Sequence, residues 1–210
     1  MRITAFKILL VFVVSILFLS QCINKPDSKE SAQQVSFKEE SSTFEYGGFE
    51  SQVKWGEHIV TISGCHDCHS PKKMTDHGPE LDSTSLLSGH PSYLPPPDVN
   101  RKELETKGLV LAAADLTSWI GPWGISFTAN LTPDETGIGN WSEQQFMYSM
   151  RQGKFKGLAG SRSLLPPMPW QMYKHMTDAE LKAVFAFLKT TPPIENIVPG
   201  AIPPVLAQKK

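Results

Sequence analysis

Five consecutive residues of this sequence concentrate thiol and imidazole groups, Cys65-His66-Asp67-Cys68-His69. Two thiols at this spacing can each add to a vinyl group of one haem, and the imidazole that follows is then held at the iron as an axial ligand. The C-x-x-C-H order therefore predicts covalent attachment of one haem c through Cys65 and Cys68, with His69 as the proximal iron ligand.

Zinc binding and dithiol redox chemistry are the alternatives for these residues. Structural zinc needs four ligands, commonly in two spaced pairs, and the sequence contains no second C-x-x-C and no H-x₃₋₅-H. A thioredoxin-like dithiol would need β-α-β surroundings and would leave His69 without a role. Haem attachment is favoured over both.

Met168 is the candidate for the sixth iron ligand. It lies in the segment LPPMPW, residues 165–170, whose prolines have a fixed φ and no N–H group. This stretch therefore predicts a stiff extended loop rather than a helix. A thioether ligand gives a higher reduction potential than a second imidazole does. Met172 and Met176 are the rivals, and a histidine or an open site is the further alternative.

Residues 55–204 resemble a class I cytochrome c domain, and more closely the cytochrome domains that accompany bacterial membrane-bound alcohol and sugar-acid dehydrogenases. Those domains often occur three to a chain, whereas this sequence has one C-x-x-C-H motif. Five motifs in order carry the resemblance, and they are GCHDCHSPK (64–72), NLTPD (130–134), TGIG (136–139) with Trp141, PPMPW (166–170) with Tyr173, and MTDAEL (176–181).

The resemblance implies a mainly α domain with the class I cytochrome c fold. In that family the methionine of the Met-Pro-Trp element is an axial ligand, which falls on Met168 here. A proline carbonyl accepts a hydrogen bond from the second ring nitrogen of the proximal histidine, and Pro79 is the expected acceptor, with Pro71 as its rival. The resemblance also implies that Asn130 and Trp141 lie near the haem propionates.

The N-terminus carries an export signal. Arg2 and Lys7 precede an apolar run, Ile8–Leu19, which is too short to span a bilayer comfortably and has the length of a secretion signal. The run ends in LSQC, which resembles a bacterial lipobox with Gln21 where a small residue is usual. The resemblance implies lipidation of Cys22. Ordinary cleavage or an uncleaved anchor would also place the body outside the cytoplasm.

The chain is predicted to have three parts. Residues 1–21 form a lipoprotein-type signal peptide, residues 22–44 a flexible polar tether, and residues 45–210 one cytochrome c domain. This organisation predicts a lipid-anchored protein on the periplasmic side of a bacterial membrane. Twenty basic and 21 acidic residues give a net charge of −1, which does not favour a nucleic-acid partner.

Capping residues and hydrophobic spacing predict the helices that must position the haem motif. In class I cytochromes the first and last helices cross, and Gly56 could allow close approach of Phe187 or Phe185. The predicted helices span Gln52–Ser63, Glu143–Gln152 and a stretch that begins at the Thr177 capping box and continues until Pro192-Pro193.

Residues 74–130 form a long loop-rich insertion between the haem motif and the second helix. Within it, Leu109–Ala114 is a candidate strand, and Trp119, Trp123 and Phe127 are expected to wall the haem crevice or to form ordinary core. The histidines outside the haem motif are expected at the surface or satisfied in the core, and they are His58, His77, His90 and His175.

Arg151, Lys154, Lys156 and Arg162 form a basic stretch just before the Met168 loop. Such a stretch is typical of a solvated loop, and near a haem face it would steer an acidic redox partner. A six-coordinate iron held by His69 and Met168 would make the protein an electron carrier rather than an enzyme.

Two other functions stay open at this point. A haem enzyme or gas-ligand sensor would need an open or labile sixth position and distal acid-base residues, for which His90 or His175 would have to serve. A fixed cytochrome subunit of a dehydrogenase complex would need a docking face. The expected partners are redox proteins, namely a dehydrogenase, an oxidase or another cytochrome.

Overall fold

The structure, a computed structural model, describes residues 45–205. The predicted signal peptide, the lipidation site Cys22 and the tether lie outside the described residues. Within residues 45–205 no helix is long and apolar enough to cross a membrane.

Six α-helices and five short strands make up the described part of the chain. The strands form an antiparallel pair, β1-β2, and an antiparallel sheet in the order β3-β4-β5. The described chain therefore combines helices with small sheets, and the predicted mainly α class is only partly right. In chain order the elements are α1 (Gln52–Ile62), α2 (Cys65–His69), β1 (Lys72–Thr75), β2 (Gly78–Leu81), α3 (Arg101–Lys107), β3 (Leu111–Ala112), β4 (Ser118–Gly121), β5 (Gly124–Phe127), α4 (Glu143–Gln152), α5 (Trp170–Tyr173) and α6 (Asp178–Leu188).

Side-chain caps set the start of the three longer helices. The Ser51 hydroxyl caps α1, and the Ser142 hydroxyl accepts a hydrogen bond from the Gln145 backbone N–H at the start of α4. Thr177 and Glu180 form a reciprocal capping box at the start of α6. The three helices predicted from the sequence are confirmed, the first two to within one residue, and the last ends at Leu188, before Pro192.

Helices α1 and α4 both pack on α6, and the three helices bury a single apolar cluster. Leu87 from the insertion and Ile138 from the loop before α4 complete it. We call this cluster the central core, and its members are Ile59, Val60, Leu87, Ile138, Phe146, Met150, Leu181, Ala183, Val184, Phe185 and Leu188. Because its members come from both ends of the described chain, burying this apolar surface closes the domain around the haem motif.

Gly56 is the point of closest approach between α1 and α6. A Cβ atom at this position would overlap the Ala183 carbonyl and lie 2.8 Å from the Phe187 Cβ atom. The predicted crossing of the first and last helices, with Gly56 against Phe187, is therefore confirmed.

The insertion is more ordered than its loop-rich sequence predicts, although the strand expected over Leu109–Ala114 is shortened to Leu111–Ala112. The Leu109 N–H is already bonded to the Leu104 carbonyl at the end of α3, and a turn closed by Leu116 N–H to the Ala113 carbonyl ends the strand. Only two residues are left to pair with β4.

The C-terminal segment, residues 194–205, crosses back over the insertion, and we call it the C-terminal strap. Ile202 pairs with Ile125 of β5, and Arg101 of α3 donates to the Pro203 carbonyl at 2.7 Å. The Asn196 amide donates to the backbone carbonyls of Ser88 and His90, at 2.7 and 2.9 Å. The strap thus fastens separate parts of the insertion to one another.

We expect Gly56→Ala to lower the free energy of unfolding by about 2 kcal/mol, because the added methyl group must push α1 away from the α6 backbone. Gly160→Ala is the matched control, since a Cβ atom there meets nothing within 4 Å. Denaturant titration of both variants checks this. Equal midpoints for the two variants would contradict the close crossing.

Candidate haem site

The haem motif forms a short helix, α2, directly after α1. Gly64 makes the connection in the left-handed region, at a φ of 67°. Cys65 and Cys68 are unpaired and half-buried. Burial raises the pKa of the Cys65 thiol to about 11, and burial also raises the pKa of Cys68. A reactive dithiol needs a lowered thiol pKa, so this environment does not favour the dithiol redox alternative.

The imidazole of His69 is held by the backbone on the far side of the insertion. Its Nδ1 atom lies 2.7 Å from the Ala129 carbonyl oxygen, which can only accept, so Nδ1 carries the proton and donates. This fixes the tautomer and leaves Nε2 with its lone pair for a metal. Burial lowers the pKa of His69 and favours the neutral ring that iron binds.

The acceptor for His69 was predicted to be Pro79, and this prediction is wrong. Pro79 is an exposed residue of β2, paired with Met74 across the hairpin. The carbonyl of the rival, Pro71, accepts from the Asp82 N–H at 2.9 Å. The acceptor comes instead from a residue 60 positions along the chain.

Gly89 allows the start of the insertion to pack closely against residues 128–129 near its end, beside His69. Its N–H donates to the His69 carbonyl at 2.8 Å, and its φ is 77°. A Cβ atom on Gly89 would lie 2.5 Å from the Thr128 carbonyl oxygen. The glycine in the sequence Ser-Gly-His-Pro, residues 88–91, was the available signal for this close approach, and Ala129 itself gave none.

Two hydrogen bonds tie the Met168 loop, residues 165–170, and the helix α5 that follows it to neighbouring segments. One reaches the chain just before the haem motif and the other reaches the insertion. The Tyr173 hydroxyl donates to the Ser63 carbonyl at 2.6 Å, just before α2. The Ser126 hydroxyl donates to the Pro166 carbonyl at 2.6 Å. Met168 is half-buried against the central core, and so is Cys65. Met168 and Cys65 therefore pack against the same apolar cluster.

The other methionines are placed less favourably for iron ligation. Met172 is 65% exposed, and Met74, in the β1-β2 hairpin, is 67% exposed. Met150 is buried within the central core, where helix packing accounts for it. Met147 and Met176 are half-buried against the same core. Met168 stays the predicted sixth ligand.

Asn130 and Trp141 were expected near the haem propionates. Asn130 is buried, and its amide group donates to Thr136 and to the Ile194 carbonyl while its oxygen accepts twice from Thr132. Every hydrogen-bonding position of this amide is used within the protein, so the propionate contact is not supported for Asn130. Trp141 is half-buried against the central core, and its contact with a propionate stays a prediction.

The histidines outside the haem motif take the positions expected of surface and satisfied core residues. His90 is fully buried, with Nδ1 2.8 Å from the Thr117 hydroxyl and Nε2 2.9 Å from the Leu94 carbonyl. His58, His77 and His175 are exposed. In the described part of the chain no group of three or more His, Cys, Asp or Glu side chains is arranged to hold a metal ion.

The aromatic residues of the insertion have defined partners. The indole N–H of Trp119 donates to the Leu116 carbonyl at 2.8 Å, and the indole N–H of Trp123 donates to the Ser126 hydroxyl at 3.1 Å. The Phe127 ring lies 4.7 Å from the His90 ring. These contacts make the three residues part of the insertion's packing, and their place as walls of a haem crevice stays a prediction.

Two side chains of the basic stretch before the Met168 loop have partners within the protein. Arg151 pairs with Asp178 at 2.6 Å, and the Arg162 guanidinium stacks 4.0 Å from the centre of the Phe155 ring. The first contact joins α4 to α6, and the second lies within the loop between α4 and the Met168 segment. Only the charge of Arg151 is paired with an acidic group.

The side chains at α2 fit a covalently held haem. Two unpaired thiols lie one turn apart, and a neutral imidazole follows them with one ring nitrogen held by the backbone. Cys65, Met168 and Tyr173 are half-buried against the apolar central core. Such a donor set and apolar setting is what haem c attachment requires.

Comparisons with known proteins find similarity to cytochrome subunits of bacterial dehydrogenases. No family model matches this chain. The chain is 36% identical over 70 residues to the fructose dehydrogenase cytochrome subunit of Gluconobacter japonicus, covering 33% of this chain and 14% of that protein. It is 28% identical over 136 residues to the gluconate 2-dehydrogenase cytochrome c subunit of Pantoea cypripedii, covering 64% of this chain and 22% of that protein.

A third relative is the outer membrane lipoprotein MapA of Campylobacter jejuni, 35% identical over 82 residues, which covers 39% of this chain and 37% of MapA. This chain therefore spans well under half the length of each of these three relatives. It is similar to cytochrome c subunits of bacterial dehydrogenases, which bears out the dehydrogenase side of the resemblance.

We expect Tyr173→Phe to lower the free energy of unfolding by about 1 kcal/mol, because the partly buried Ser63 carbonyl loses its hydrogen bond. Tyr93→Phe is the matched control, since this side chain is 86% exposed. Thermal or denaturant unfolding of the haem-loaded protein measures both. A Tyr173→Phe variant as stable as the control would show that this bond does not fasten the loop.

Proposed function

We propose that this chain is a c-type cytochrome that carries electrons for a bacterial dehydrogenase and is not itself an enzyme. Cys65 and Cys68 would hold one haem c covalently, and His69 and Met168 would be the axial ligands of its iron. The domain would have the class I cytochrome c fold, elaborated by the ordered insertion. The observation that carries the proposal is the 2.7 Å hydrogen bond from His69 Nδ1 to the Ala129 carbonyl.

The residues of the site have complementary tasks in this proposal. When bound, haem supplies an iron that accepts and returns one electron. His69 stays neutral, since burial and the fixed tautomer both favour the imidazole with a free Nε2. Met168 offers a soft thioether, which favours the reduced state and so a high potential. The apolar central core beside both segments keeps water away from them.

The placement of the histidines favours a six-coordinate carrier over a haem enzyme or gas-ligand sensor. Both ring nitrogens of His90 already have protein partners, and His175 is exposed at the surface. Neither is a free buried acid-base group of the kind such chemistry needs. A fixed subunit of a dehydrogenase complex is the second candidate, and the relatives named as dehydrogenase cytochrome subunits favour it.

We further propose that the protein works on the periplasmic side of a bacterial membrane, anchored by a lipid on Cys22. The apolar run Ile8–Leu19 followed by LSQC supports export and lipidation. Similarity to a lipoprotein of the outer membrane agrees with this placement. The partners would be a dehydrogenase, an oxidase or another cytochrome, reached over the length of the tether 22–44.

The ligand set is tested by optical spectra of the haem-loaded protein in its oxidised and reduced states. We expect the wild-type ferric protein to show a far-red sulfur-to-iron band, and we expect Met168→Ala to lose it and to bind carbon monoxide when reduced. Met172→Ala, at a nearby exposed methionine, should keep the band. A wild-type protein that lacks the band and binds carbon monoxide readily would overturn the proposal in favour of an open sixth position.

A further inference from the structure

Ser126 links the insertion to the Met168 loop. This serine of β5 is 8% exposed, and its hydroxyl takes part in two hydrogen bonds. It accepts from the Trp123 indole N–H at 3.1 Å and donates to the Pro166 carbonyl at 2.6 Å. Because the indole can only donate, the Ser126 hydrogen is directed to Pro166.

The composition of the Met168 loop makes this contact important. Pro166, Pro167 and Pro169 have no N–H groups, so the backbone around Met168 has few donors with which to fasten itself. The Met168 N–H is used within the loop, on the Leu165 carbonyl at 3.3 Å, and the contact to the insertion is made through the Pro166 carbonyl oxygen. A donor that reaches the loop from the insertion therefore fixes where the loop lies.

The Trp123 indole is itself held in place. Its ring lies over Gly121, where a Cβ atom would come within 2.6 Å of the ring atoms. On the other side of the hairpin turn, Gly124 lies against the C-terminal strap, and Ile125 pairs with Ile202. The donor to Ser126 is therefore part of an ordered hairpin rather than of a mobile side chain.

The same stretch of chain holds the other predicted ligand. Ala129, three residues after Ser126, accepts the hydrogen bond from His69. Residues 126–129 thus contact the His69 ring at one end and the Met168 loop at the other. The separation of the two ligand-bearing segments depends on this stretch, which belongs to the insertion and not to the haem motif.

We infer that Ser126 is a positioning residue for Met168: through Pro166 it holds the thioether at the iron and so sets how easily an external ligand displaces it. The inference rests on the proposed function, since it has meaning only where Met168 is an iron ligand. Ser126 does not touch the iron. It acts through the loop.

The test is a titration of the ferric, haem-loaded protein with imidazole. Loss of the far-red sulfur-to-iron band reports binding. In Ser126→Ala we expect imidazole to bind about fivefold more tightly, the factor that corresponds to one lost hydrogen bond. We also expect a lower reduction potential, because a weakened thioether stabilises the reduced iron less. Ser126→Thr keeps the hydroxyl and should restore both values toward those of the wild type.

Ser149→Ala is the matched control. Ser149 is also a buried serine, and its hydroxyl donates to the Lys154 carbonyl at 2.9 Å, so its loss should lower stability without changing imidazole affinity. Trp123→Phe keeps an aromatic side chain, although a smaller one, and removes the donor to Ser126. This variant should weaken the Pro166 contact and raise imidazole affinity by a smaller factor than Ser126→Ala does. It replaces Ser126→Ala as the test if that variant does not fold.

The outcomes separate this inference from the proposed function. A wild-type protein without the far-red band overturns the ligation by Met168 and the inference with it. A wild-type protein with the band, together with wild-type imidazole affinity and potential in Ser126→Ala, overturns the role of Ser126 alone. An equal rise in imidazole affinity in Ser149→Ala would also overturn it, because the effect would then come from general destabilisation.

Discussion

The hydrogen bond between the His69 ring and the Ala129 carbonyl is the constraint on which the site depends. A metal-binding histidine needs its second ring nitrogen held, or the ring can rotate and change tautomer. Here the acceptor belongs to residues 126–129, which also hold the Met168 loop through Ser126. One short stretch of chain therefore contacts both of the segments that our proposal places on opposite sides of a haem.

The rest of the fold can be understood as support for that stretch. Gly89 brings the start of the insertion against it, and β5 is paired on one side with β4 and on the other with Ile202 of the C-terminal strap. Asn130, next to Ala129, uses both its amide nitrogen and its amide oxygen in hydrogen bonds to the strap and to the neighbouring loop. A long insertion is ordered only where such contacts offset its conformational entropy, and here they converge beside His69.

The sequence predicts the local features well and the long-range ones poorly. The helix bounds, the caps and the close approach at Gly56 depend on residues a few positions apart or on a glycine whose replacement would push two helices apart. The acceptor for His69 lies 60 positions away and is a backbone carbonyl, which any residue type could supply. The expectation for Pro79 rests on the family resemblance and on position along the chain, which does not determine position in space. Ser126 gives no signal either, because its partner Pro166 lies 40 positions along the chain.

The central claim is that residues 126–129 hold His69 and the Met168 loop so that both side chains bind one iron. A proton NMR spectrum of the reduced, haem-loaded protein with labelled methionine methyl groups tests it most directly, because a thioether methyl on the iron lies over the haem ring and shifts strongly upfield. We expect one such methyl, and we expect it to belong to Met168. The His69 Nδ1 proton should be protected from exchange by its hydrogen bond to the Ala129 carbonyl. An upfield methyl from Met147 or Met176, or none at all, would contradict it.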